Sequence, residues 1–196
     1  MWYNNNDFIL YIEFGDIMIH PIKHFLVITK HRILVRHYCF KCGLIWQGLT
    51  HDLSKYGFTE FFSGAKYYEG KRSPHFNQRQ KVGYSIAWMH HKGRNKHHPE
   101  YWMDDNPVTH KIEPVLMPNK YIAESICDRI AASKVYNKKN KIEFKPQFVL
   151  DYFNKELDYL PLHPEVRKKY EFLLNYYVEN GQKALFKYIR KNKNKF

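Results

Sequence analysis

Three cysteines are all that this chain of 196 residues has. An odd number cannot close into a complete disulfide framework, and Cys39 and Cys42 lack the second pair that a zinc ribbon would need. They read instead as reduced packing residues, which fits a cytoplasmic setting. Acidic side chains are also scarce, 19 against 32 basic ones, and the net charge of +13 favours an anionic substrate or partner. Long uncharged apolar runs are missing. The most apolar stretch, residues 25–49, carries Lys30, His31, Arg32, Arg36, His37 and Lys41, so no membrane span is expected. Residues 8–19 are interrupted by Glu13 and Asp16 and are followed by no small-residue cleavage site, so no secretory signal is expected either. There is no internal repeat. Tyr and Phe are numerous, but no RNA-recognition or zinc-finger signature accompanies them. Part of the basic excess, in 134–145 and 187–193, accompanies a general richness in Asn, Tyr, Phe and Ile of the kind an AT-rich genome produces.

What is present is helical patterning. Residues 8–19 read as a short strand or extended arm, and Pro21 stands where a helix-opening proline belongs, ahead of a helix over 22–47. A helical turn follows at 59–62, a loop at 64–74, and a helix over 77–91 that ends near Gly93. A long irregular stretch, 92–118, leads to a helix over 120–136 that Asn119 can cap. Two amphipathic helices over 146–160 and 164–180 come next, with Gly181 as a stop and a short basic helix after it. The expected organisation is all-α: an arm over 1–20, a metal-binding core over 21–140, and C-terminal helices over 141–196 packed on that core.

Histidine is the residue type in surplus, 12 in all, and it is ordered. His51-Asp52 places two ligands of different chemistry side by side, with His31 upstream and His90-His91, His97-His98 and Asp128 downstream. Neutral imidazoles and carboxylates together suit Mn, Fe, Co, Ni or Zn better than Mg or Ca. Asp52 can bridge two ions, one oxygen to each, and two metals about 3.5–4 Å apart form the clamp used to cleave phosphate esters. His31 has Val27, Val35, Tyr38 and Cys42 at helical offsets, which places it on an inward stripe; His24 lies on the same stripe and competes. Adjacent residues on a helix point about 100° apart, so one of His90 and His91 is expected inside. His91 is preferred, because Ala87 and Trp88 form an apolar wall behind it. His97-His98 precedes Pro99 in a polar stretch that reads as a loop, where both rings can converge.

This order, together with HDLSK, AWMHH and NKHHPEYW, resembles the HD-domain superfamily of metal-dependent phosphohydrolases, and within it a group of small bacterial and phage proteins without a settled substrate. HDLSK sits like the HDIGK form of the signature, and the resemblance covers roughly residues 20–136. It implies an HD-like helical bundle with His31 as the first histidine, His51-Asp52 as the signature doublet and Asp128 as the closing aspartate. His91, His97 and His98 would serve a second metal. No GYP element follows His97-His98, so a cyclic-dinucleotide activity is not implied.

The function expected on this basis is hydrolysis of a phosphate ester, above all of a nucleotide, with one or two divalent transition metals as cofactor. Asp52 and Lys55 are the expected catalytic residues, and Lys55, Arg94 and Lys96 the cations for the phosphorylated substrate. Two other classes fit the same residues. One is an HD-like di-iron oxygenase. The other is a basic protein that binds nucleic acid or a partner protein and holds a structural metal.

Overall fold

The computed structural model describes residues 12–14, 17–192 and 195. The architecture is all-α, with two short antiparallel strand pairs attached. β1 (Ile12–Phe14) pairs with β2 (Ile17–Ile19), so that part of the expected arm is a hairpin; residues 8–11, 15 and 16 of the same stretch lie outside the described residues.

α1 (Pro21–Lys41) opens on its proline and buries His24, Ile28, His31, Val35, Tyr38 and Cys39, one face repeating every three or four residues. It ends earlier than the pattern suggested. Gly43, at φ 74°, breaks the chain there, and α2 (Ile45–Thr50) starts in a new direction with Gly48 buried inside it. A 3₁₀ turn, Leu53–Tyr56, and α3 (Phe58–Lys66) follow. The expected helix over 77–91 is two helices, α4 (Pro74–Val82) and α5 (Ile86–Lys92), separated by Gly83 at φ 82°, a backbone conformation that side chains with a Cβ rarely take. Ser85 then caps α5, accepting a hydrogen bond from the Trp88 amide at 3.1 Å.

The irregular stretch after α5 holds a 3₁₀ turn, Pro99–Tyr101, and a hairpin of β3 (Met103–Asp105) with β4 (Ile112–Pro114). α6 (Asn119–Lys139) runs to the end of the expected core. Asn119 does not cap it; Pro118 occupies the cap position, and the Asn119 Oδ1 instead accepts from Lys169 Nζ at 2.7 Å. α7 (Gln147–Glu156) and α8 (Pro164–Asn192) complete the chain, and non-helical backbone at Gly181 divides α8 where a stop was expected.

α1, α6, α7 and α8 share one apolar cluster, to which they contribute Val35, Ile126, Ile130, Phe153, Tyr170 and Leu174 among others. Full burial of such side chains stabilises by about 1.5–3 kcal/mol each. This cluster fixes α1 against α6. Midway along these two helices, His31 and Asp128 face a second and very different interior, which α2, α3 and α5 help to enclose.

Candidate metal centre

Adjacent residues on one helix diverge, yet His51 and Asp52 enter the same interior, because the helix has ended before them. His51 is extended (φ −49°, ψ 125°) and Asp52 is left-handed (φ 53°, ψ 27°). A non-glycine residue in that region costs of order 1 kcal/mol or more, and such strain persists where the surroundings hold it. Both side chains are about 1% exposed.

Around Asp52 the two carboxylate oxygens face different partners. Oδ2 lies 3.4 Å from His51 Nε2, 4.0 Å from His31 Nε2 and 2.5 Å from Lys55 Nζ. Oδ1 lies 3.3 Å from His91 Nε2 and 3.5 Å from His97 Nε2. Asp128, on α6, closes the first side, with Oδ1 2.8 Å from His31 Nε2 and 3.6 Å from His51 Nε2. Two four-residue groups result, His31–His51–Asp52–Asp128 and Asp52–His91–His97–His98, and within each the potential ligand atoms lie within 4.8 Å of one another. All seven expected ligands are therefore brought together, and Asp52 is common to both groups. His24 is not among them; it is buried against Phe61 and Tyr68. His90 turns partly outward, as expected, and its Nδ1 lies 2.7 Å from Glu60 Oε1.

Sequence reasoning missed the carboxylates behind the ligands. Glu124 Oε1 is 2.9 Å from His51 Nδ1 and 3.3 Å from His97 Nδ1, and Glu60 Oε2 is 2.7 Å from His91 Nδ1. A carboxylate accepts from Nδ1–H and so sets the tautomer, leaving the Nε2 lone pair free for another partner. Those Nε2 atoms have none: His51, His91, His97 and His98 each bury an Nε2 without a hydrogen bond, and so does Asp52 its Oδ1. Buried polar atoms are almost always satisfied, so four orphaned imidazole nitrogens around one carboxylate, with an orphaned oxygen of its own, call for a ligand that accepts lone pairs. The residues fit a divalent cation.

Charge makes the same demand. Burial alone would raise the Asp52 carboxyl, but His51, Lys55 and His91 hold it well below the usual carboxylate range. Asp128 is likewise held well below, its burial overcome by His31 and His51. His51 resists its burial and is held well above an ordinary histidine by Asp52, Asp128 and Glu124. His98, enclosed beside His97 and His91, is pushed well down. Four carboxylates, those of Asp52, Asp128, Glu60 and Glu124, thus surround a space whose permanent cation is Lys55. Bound metal would replace the protons that the histidines otherwise carry.

Glu60→Gln tests the role of these outer carboxylates. The amide can donate to Nδ1 and so favour the tautomer with the proton on Nε2, so metal affinity in the His91 group should fall about 10–100-fold. Titration followed by mass spectrometry reads the change, and unaltered affinity would show that Glu60 does not set the His91 ring.

Lys55 reaches the centre as expected. Arg94 and Lys96 do not join it: both are exposed, no ion pair links either to the cluster among the described residues, and the Lys96 ammonium lies over the rings of Tyr101 and Tyr121. No helix among the described residues is long and apolar enough to cross a membrane. Neither a curated protein nor a solved structure gives a significant match to the chain. Residues 20–176, which span every candidate ligand, match the family of unknown function DUF5662, and the chain belongs to that family.

Proposed function

We propose that this protein is a metal-dependent phosphohydrolase, HD-like in its centre, that cleaves a phosphate ester, above all that of a nucleotide. The observation that carries the reading is the division of Asp52, with one oxygen facing His31 and His51 and the other facing His91 and His97. Seven residues, His31, His51, Asp52, His91, His97, His98 and Asp128, would hold two ions. The imidazole-rich donor set favours Mn, Fe, Co, Ni or Zn. Bound there, such ions would supply Lewis acidity, which polarises phosphoryl oxygens and lowers the pKa of a water towards neutrality.

The chain's own groups do the rest. Glu60 and Glu124 fix three imidazole rings so that no reorganisation is needed at the moment of reaction. Lys55, beside the shared carboxylate, donates to the non-bridging oxygens of the substrate as their charge builds. Trp88 packs on His91 and His98 and shields that side of the centre from bulk water.

The test is phosphate release from a panel of nucleotides and other phosphate esters by protein loaded in turn with each candidate metal. Release that depends on metal and stops with chelation is expected. Release that survives complete chelation overturns the reading, as does an iron-loaded protein that consumes O₂ and liberates no phosphate from any ester.

A further inference from the structure

On the Lys55 side of the centre lies a cavity of about 60 Å³ that the reading above leaves unused. α1 contributes His24 and Val27 to it, the start of α4 contributes His75 next to Ser73, and α6 contributes Tyr136. At about 10–15 Å³ for each water it could hold, the space suits roughly four to six non-hydrogen atoms of a ligand. We propose that this cavity receives the uncharged, hydroxyl-bearing part of the substrate, the edge of a sugar or a similar polyol, while the phosphoryl group lies at the metal centre. The inference rests on the phosphohydrolase reading for its neighbour, but the lining argues for the ligand on its own.

The first observation is a missing hydrogen bond. His24 is 6% exposed, and its Nδ1 is buried without a partner. Its Nε2 edge packs on Gly64 so closely that a Cβ there would lie 2.2 Å from Nε2, so the ring has no room to turn that way. A buried nitrogen left in this state beside a cavity calls for a polar ligand atom.

The second observation is the absence of a spare cation. Lys55 is the positively charged group in the lining, and its ammonium is held at the metal-centre side, 2.5 Å from Asp52 Oδ2, where it serves the phosphoryl group and leaves the rest of the cavity without a cation. His24 is kept neutral, lowered to about 4 by burial and by Lys55. Glu60, which also borders the cavity, is committed to His90 and His91. A phosphate dianion placed here would bury charge without a partner, which is expensive. A hydroxyl both donates and accepts, as does the neutral His24 imidazole, and the hydroxyls of Ser73 and Tyr136, which bond each other, keep one donor and further acceptor capacity between them. Val27, Ile28 and Pro74 supply the apolar wall against which the carbons of a polyol can rest.

The experiment titrates full-length, zinc-loaded protein with D-ribose and, separately, with inorganic phosphate, following the assigned imidazole resonances by NMR. Ribose should shift His24 and His75 saturably, and phosphate should not. Val27→Phe, which fills the cavity, should abolish the shifts, and Tyr136→Phe, which removes one hydroxyl, should weaken binding about 3- to 10-fold. If Val27→Phe loses its helical circular dichroism, Ser73→Val narrows the same space from the other side and must give the same loss. No response to ribose, a response that survives filling, or saturation of His24 by phosphate alone would each overturn the proposal. The readout needs no turnover. Ribose shifts without hydrolysis of any ester would sink the phosphohydrolase reading alone, and hydrolysis without ribose shifts would sink the cavity assignment alone.

Discussion

Asp52→Asn is expected to empty both metal positions at once, taking the protein from two bound ions to none while its helical content persists. Asparagine is the informative replacement because it tolerates the left-handed backbone that Asp52 adopts, whereas alanine would add strain and confuse lost ligation with lost fold. The amide keeps the shape but removes the charge that both groups share. Removing an outer carboxylate costs about 10–100-fold in metal affinity, so the loss of a shared ligand should exceed that. His31→Ala gives the contrast: it takes a ligand from the His51–Asp128 group and leaves His91, His97 and His98 intact, so one ion should remain. Mass spectrometry of the intact, metal-loaded protein distinguishes the cases. Full occupancy in Asp52→Asn would show that Asp52 is not a ligand, and a wild-type protein that never takes more than one ion would reject the shared-carboxylate arrangement.

The parts of this centre that could be read from the sequence were those whose signal is local. His31 shows itself because Val35 and Tyr38 repeat on its face at helical spacing, and that face is buried. His91 could be separated from His90 because Ala87 and Trp88 lie one turn before it, and the structure packs Trp88 on the His91 ring. His51-Asp52 was harder, since the sequence carries no sign that the backbone would leave the helix and turn left-handed between α2 and the 3₁₀ turn. That break is what aims both side chains at one point. Gly43 and Gly83 were visible as residues, yet continued helical periodicity on either side hid the breaks they make. Glu124 did have a signal: it precedes Asp128 by one helical turn, so any face that presents Asp128 presents Glu124 as well. Glu60 had none. In the first turn of α3 it looks like an ordinary acidic residue complementing the helix dipole, and only the approach of α5 turns it into the anchor of His90 and His91.

Lys55→Ala should retain fold and metal but lose about 10²–10³ in turnover on the best substrate, the loss typical of a donor preorganised for developing charge. The structure sharpens this expectation by giving Lys55 two candidate roles. Its ammonium sits on Asp52 Oδ2, where it could serve simply as the counter-ion of a buried carboxylate. The two roles part company when metal is measured. A cation that merely neutralises Asp52 competes with metal for the same oxygen, so its removal should tighten metal binding and leave kcat unharmed. A cation that reaches the phosphoryl group should lower kcat with little change in KM, because the interaction it provides grows only as charge develops. Lys55→Arg, which keeps the charge in a different shape, should recover part of the lost turnover in the second case. Full activity in Lys55→Ala would remove Lys55 from the reaction. Tighter metal binding with kcat unchanged would make it the counter-ion of Asp52 instead, and the phosphoryl group would then have to find its stabilising charge in the metals alone.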